Sequence, residues 1–360
     1  DNIEKELHNN SLWYFLTNRS NAKYQTRIDL ILDLISRKPA DNKEKYYTFF
    51  YFDDLNQKEK LNEIWKEIQH TFLILKDWYE DHELYHKIGY LIASYTESLQ
   101  DIFDLSKREI GGRGITKNQF KSELDAHIKK SIATTTNYSE LSYEKTTDYT
   151  IISRLLLLFN VESVRQNGEQ TNRFPFEKLK FKKTGKVSWS LEHIHAQQSE
   201  GMQKQGDWKE WLRLHTPSLV SLGDGNDELI EEMKNACDKE RLERLEFEDI
   251  QQKVIQKLSA QGNIEYMHSI ANLALLNMSD NAALNNSTFD VKRNAIIEMD
   301  KRGQFIPFCT KMVFLKYYTP SASNQLHFWG QQDRIAYIKA INSTLKNYQA
   351  EEISIEKEAE

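Results

Sequence analysis

Cysteine is scarce in this chain: Cys237 and Cys309 are the only two in 360 residues, and they stand far apart. Neither belongs to a C-x-x-C pair, which excludes a disulfide framework and a cysteine-ligated zinc as organising devices. Long apolar runs are also missing. The longest, Leu155 to Phe159, is far below the ~20 residues needed to span a bilayer. The first residues, Asp1-Asn2-Ile3-Glu4-Lys5, carry neither the basic nor the apolar part of a secretion signal. They also lack an initiator Met, so a fragment or trimmed chain is expected. No strong excess of positive charge exists either. The net charge is −6, so nucleic-acid binding would have to rest on local basic patches. These absences predict a cytoplasmic protein with no membrane association.

What is present is a globular composition, 39% hydrophobic and 28% charged, in a length sufficient for two domains. The first 165 residues carry apolar positions at helical spacing. Ile28, Leu30, Ile31, Leu34 and Ile35 form one such set, and Leu61, Ile64, Trp65, Ile68, Phe72, Leu73 and Leu75 form another. A third lies in Tyr85 to Leu99, and Tyr149 to Val161 predicts a buried central helix of this first domain. The aromatic run Tyr46 to Phe52 predicts a buried connector. Ile110-Gly111-Gly112-Arg113-Gly114 lacks the Gly-Lys-Ser/Thr of a phosphate-cradling loop. It predicts a turn ahead of Thr116-Lys117-Asn118-Gln119, which has the form of a capping box.

A polar linker is expected between Glu162 and Arg173, followed by Phe174-Pro175-Phe176. The basic run Lys178, Lys180, Lys182, Lys183 and Lys186 comes next, a solvated face or a phosphate contact. It leads into Val187-Ser188-Trp189-Ser190-Leu191-Glu192-His193-Ile194-His195. The alternation of apolar and small polar residues predicts a half-buried strand that ends in a carboxylate and two imidazoles. Asp207 to Trp211 predicts a short anchored helix, and Asp227 to Ala260 a long charged helical excursion. Ile270 to Asn277 is short enough to be a second strand. An Asn-rich loop follows, and Ser287-Thr288-Phe289-Asp290 starts a helix that stops near Gly303.

Those residues suit phosphodiester hydrolysis. A histidine whose ordinary pKa lies near 6.5 can take a proton from water at neutral pH. A hard cation such as Mg²⁺, with Mn²⁺ as the alternative, prefers carboxylate and amide oxygens, which suits Glu192 and Asn281.

The order of strand with Glu192-His193, insertion, strand opened by Asn272, Asn-rich loop, then helix with Lys292-Arg293 resembles the ββα-metal, or HNH, nuclease finger. The resemblance implies His193 as general base, Asn272 as the residue that orients it, and Glu192 and Asn281 as metal ligands, with Asn285 the alternative. It implies phosphate contacts at Lys292 and Arg293, and Lys182 and Lys183 add to the expected DNA-binding surface. On an ideal strand Glu192 points away from His193, so its ligand role requires a bend. His195, which could assist or bind metal, is expected rather to be structural or hydrogen-bonding, and His268 a packing residue or a strand-entry contact.

Phe174-Pro175-Phe176, Trp189-Ser190-Leu191-Glu192-His193-Ile194, Asn272-Leu273-Ala274-Leu275-Leu276, Phe289-Asp290-Val291-Lys292-Arg293, Ile306-Pro307-Phe308 and Phe328-Trp329 are similar to the C-terminal half of GmrSD-type restriction enzymes. Leu12-Trp13-Tyr14-Phe15 extends the similarity into the first domain. Ala196 and Ala271 depart from it, where that family often has Pro and Gly.

The implied fold is mainly α. A helical coupling domain over 1–165 precedes an α+β nuclease domain over 171–348, built on the HNH finger with a long helical insertion, and 349–360 is a frayed tail. The implied activity is a metal-dependent DNA endonuclease or nickase of an anti-phage restriction system. No nucleotide-hydrolysis motif occurs, so a ParB-like NTPase half or a separate sensor chain is the expected partner. A non-catalytic helical regulatory subunit and an RNA-directed nuclease are the alternatives.

Overall fold

A computed structural model of the chain describes residues 2–18, 26–39, 42, 44–57, 60–135, 137–167, 172–180, 189–196, 202–223, 225–259, 266–277, 286–321 and 326–354. The chain is mainly helical, as expected, and forms two compact units. The first comprises Asp1–Ser131 with Val164–Val187, the second Ile132–Ser163 with Ser188–Glu360. Among the described residues no helix is long and apolar enough to cross a membrane.

The first unit begins with α1 (Asn2–Leu7), α2 (Asn10–Leu16), α3 (Asp29–Ile35), α4 (Tyr47–Gln57), α5 (Leu61–Glu80), α6 (His82–Ala93) and α7 (Leu99–Ser106). A hairpin of β1 (Glu109–Ile110) and β2 (Arg113–Gly114) then leads to α8 (Lys117–Ser131). Caps explain several starts. Asp81 accepts the Glu83 and Leu84 N–H groups at the head of α6, and Ser98 forms a capping box with Asp101 at α7. The predicted Thr116–Gln119 box is present as well, with the Thr hydroxyl accepting from Gln119 N–H at 3.3 Å and Gln119 Oε1 accepting from Thr116 N–H at 2.9 Å. The glycine-rich turn is a tight hairpin in which Gly111 and Gly112 both have positive φ, 62° and 77°. Two residues with positive φ give a hairpin turn the twist its strands need, which is why glycine stands at both.

α6 is buried almost all round and centres this unit. Its Gly89 is required by close approach, because a Cβ there would lie 2.1 Å from the Phe176 ring. Phe176 opens α10 (Phe176–Lys180), so Phe174-Pro175-Phe176 packs in the first unit rather than the second. Tyr85 donates its hydroxyl to Phe174 O at 2.8 Å, and buried His86 accepts Phe174 N–H at 3.1 Å. Lys180 turns inward to donate to Tyr14 O at 2.6 Å, which takes it out of the basic run.

Two other expectations fail here. Tyr46 to Phe52 is no buried connector: it runs into α4, with Tyr46, Phe49 and Phe50 each more than half exposed (54%, 62%, 57%). A helix turns successive side chains around its full circumference, so a continuous aromatic run cannot be buried on one face. The expected linker is in part helix too. α9 (Thr146–Asn167) continues past buried Glu162 and Ser163, and the division between units falls inside it.

In the second unit, residues 146–163 of α9 bury Ile152, Leu155, Leu156, Leu158 and Phe159. The expected strands form as β3 (Ser190–His193) and β4 (Leu273–Leu276), an antiparallel pair with Ser190 opposite Leu276 and His193 opposite Leu273. Between them lies the insertion: α11 (Gln205–Leu222), α12 (Asp227–Asp238) and α13 (Arg244–Leu258). α11 is longer than the short helix expected, continuing through Pro217. The insertion is also more than a charged excursion, since Trp208, Trp211, Met233, Phe247, Ile250 and Val254 form an apolar core of their own. After β4 come α14 (Phe289–Lys301), α15 (Phe308–Phe314) and α16 (Gln331–Leu345).

Candidate active site

β4 is buried at every position, which demands partners for its outer edge. Its even-numbered side faces β3. On the other side, Leu273 O accepts the Tyr337 hydroxyl at 3.0 Å and Leu275 O accepts the Thr310 hydroxyl at 2.6 Å. Trp329 donates its indole N–H to Ala271 O at 3.0 Å, fixing the chain just before the strand. A two-stranded sheet is marginal alone, and these donors, two from helices and one from the segment before α16, supply the partners its outer edge needs.

Asn272 closes the end of the pair. Its backbone carbonyl accepts Ile194 N–H at 2.8 Å, which extends the ladder one step beyond His193. Its side chain, 3% exposed, accepts His195 N–H at 3.0 Å and donates to His195 O at 2.9 Å and Met267 O at 3.0 Å. It therefore clamps the backbone immediately after His193 and has no direct bond to the imidazole.

The His193 ring is half-buried. It packs on Tyr143 at 4.7 Å between centroids, and its Nε2 lies 3.3 Å from Nδ1 of His268. Its carbonyl accepts the Lys292 ammonium at 2.5 Å. Burial, then the Lys292 charge, then His268 push the His193 pKa down to about 3, so the ring is uncharged at neutral pH.

Lys292 was expected to reach a phosphate and does not. It is fully buried, with its Nζ committed to the His193 carbonyl, and burial lowers its pKa to about 8 against the opposing influence of Glu192. Helical phase turns this position inward one turn into α14. Arg293, the next residue, is half-buried.

Glu192 pairs with Ala274 on the strand face opposite His193. The Ser190 hydroxyl donates to Glu192 Oε1 at 2.8 Å, an i, i+2 contact that shows the ordinary alternation is kept here. The bend its ligand role requires is absent from β3. Among the described residues no group of three or more His, Cys, Asp or Glu could hold a metal ion. Asn281, Asn285, Lys182 and Lys183 lie outside the described residues.

His195 is 1% exposed and helps to cap α14. Its Nδ1 accepts Phe289 N–H at 3.2 Å, so its proton sits on Nε2, 3.1 Å from the Ser259 hydroxyl. His215, missed in the sequence, does the same one residue earlier. Its Nε2 accepts Thr288 N–H at 3.1 Å while Nδ1 donates to Trp211 O at 2.8 Å. The Thr288 side chain makes no cap bond of its own. Burial first lowers both imidazoles to about 3, as befits neutral acceptors at a helix N-terminus.

His268, expected to pack or to make a strand-entry contact, is the polar partner of the His193 ring. Its position four residues before Asn272 was the available signal. Tyr143 and Glu144 beside it carry no motif in the sequence. No family model, no curated protein and no solved structure matches this chain.

Proposed function

We propose that the second unit is a phosphodiester hydrolase, a DNA endonuclease or nickase of a restriction system, with His193 as its general base. The observation that carries the reading is the arrangement at the end of β3. A half-buried imidazole stands on a strand whose backbone is held by Asn272 and Lys292, in the strand–strand–helix order of an HNH finger. In this reading water's oxygen bonds to phosphorus while the imidazole takes its proton. The P–O bond to one deoxyribose oxygen breaks, and that oxygen leaves with a proton from solvent. General-base assistance contributes about 10²–10⁴-fold.

The reading brings Mg²⁺, or Mn²⁺, to Glu192 with Asn281 or Asn285. It assigns DNA contacts to Arg293, Lys182 and Lys183, and Lys292 to holding the site from within. The first unit then acts as the coupling element toward a ParB-like NTPase half or a separate sensor chain in the cytoplasm. A second reading, a non-catalytic interaction module, draws on Glu192 facing away from His193.

Supercoiled plasmid with Mg²⁺, Mn²⁺ or chelator separates the two. Nicking that chelator abolishes and His193→Ala lowers by about 10²–10⁴-fold is expected. Equal nicking by wild type and variant overturns the base assignment, and a single-stranded RNA arm decides the nucleic acid.

A further inference from the structure

Among the described residues the His193 ring is gripped at one nitrogen. Its Nε2 faces Nδ1 of His268 at 3.3 Å, and Nε2 of His268 lies 3.4 Å from a Glu144 carboxylate oxygen. Two imidazole nitrogens within hydrogen-bond distance must share one proton, so the tautomer of one ring dictates that of the other. The carboxylate only accepts. It therefore favours the proton on His268 Nε2, which leaves His268 Nδ1 as the acceptor and His193 Nε2–H as the donor. His193 Nδ1 is then the nitrogen with the free lone pair, and it has no hydrogen-bond partner among the described residues.

The three residues are held together by backbone rather than by chance of rotamer. Ser142 and Ser269 form an antiparallel bridge, and Tyr143 N–H donates to His268 O at 2.9 Å. Tyr143 then lays its ring against both histidines, at 4.7 Å from His193 and nearly parallel to His268 at 6.3 Å. Asn272 ties Met267, next to His268, to His195, two residues past His193, through its one side chain. The Glu144 side chain is 69% exposed, so its value lies in direction rather than in binding strength.

We propose that Glu144 and His268 form a relay that fixes His193 in the Nε2–H tautomer, so that Nδ1 is the nitrogen that takes the proton from water. Both are positioning residues, and Tyr143 is the wall that keeps the rings in register. The proposal rests on the hydrolase reading for what Nδ1 does, but the tautomer stands or falls without it. When Nδ1 takes the proton, the charge of the resulting imidazolium is shared through Nε2–H with His268 and faces the Glu144 carboxylate.

Histidine side-chain ¹⁵N–¹H correlation spectra of the full chain test this, with His193 assigned through the loss of its signals in His193→Gln. The expected wild-type result is a protonated Nε2 and a bare Nδ1 on both His193 and His268. In His268→Phe the His193 Nε2–H should lose its slow exchange with solvent, while His268→Asn, which keeps an acceptor oxygen near the Nδ1 position, should retain it. Plasmid nicking should follow the same order, lowered about 10–100-fold in His268→Phe and largely restored in His268→Asn. A wild-type His193 protonated on Nδ1, or an unchanged Nε2–H in His268→Phe, overturns the relay. The expected spectra with no nicking by any of the proteins support the relay and overturn the hydrolase reading alone.

Discussion

His193 and His195 lie two residues apart where β3 ends, and their surroundings differ in kind. The first offers one ring nitrogen to His268, packs at a tilt against Tyr143 and keeps its other nitrogen free of hydrogen bonds among the described residues. The second has both nitrogens engaged, one by the Phe289 N–H and one by the Ser259 hydroxyl, inside a closed core. Burial lowers the pKa of both to about 3, so charge state does not separate them. What separates them is whether a lone pair is left over. An acceptor that is already used holds a helix; one that is not has a lone pair left for another donor.

The contrast can be broken most sharply at His193. His193→Ala should lower nicking by about 10²–10⁴-fold while shifting stability in urea by no more than about 1 kcal/mol. A large loss of stability would mean that this ring is structural like its neighbour. The reverse pattern is expected at His195. His195→Ala strands the Phe289 N–H in the core and leaves a cavity, so a destabilisation of about 3 kcal/mol is expected from urea melts.

Acid should find the closed site next. Unfolded histidine binds its proton near pH 6.5, whereas His195 and His215 in the fold do so only near 3. Between those values the unfolded chain carries the proton and the native chain does not. Stability is therefore complete above about pH 6.5 and is lost as pH falls toward 3, at about 1.4 kcal/mol per pH unit for each ring. Urea melts at pH 7 and 5, followed by tryptophan fluorescence, read this directly. His195→Gln should flatten the slope, and an unchanged slope would remove His195 from the account. Ser259→Ala should have the smallest effect. It removes one half-buried acceptor, which costs about 1 kcal/mol in the same melts and leaves nicking unaltered.

Much of the scaffold was legible because its signals are local. Alternation from Trp189 to His193 and the short apolar run at 273–276 identified both strands, and the Thr116–Gln119 spacing identified a helix start. Asn272 was legible as the residue that holds the strand end, although its bonds go to the backbone of His195 rather than to the His193 ring. Lys292 was misread because an ammonium in a basic pair ordinarily faces solvent, and only the packing of α14 shows it beneath the His193 carbonyl. Tyr46 to Phe52 was misread because aromatic content says nothing about which side of a helix meets the core.

The sequence by itself determined the mainly helical class, the two strands and the placement of a histidine at the end of the first. Those follow from periodicity and spacing along the chain, which act over a few residues. The tertiary structure decided which histidine has a nitrogen without a partner among the described residues. Glu144, His268 and His193 are brought together across 124 residues of chain, and His195 meets Phe289 across 94. Such pairings depend on how helices close over the strand pair. The orientation of an imidazole is set by whatever hydrogen-bonding group that closure leaves beside it.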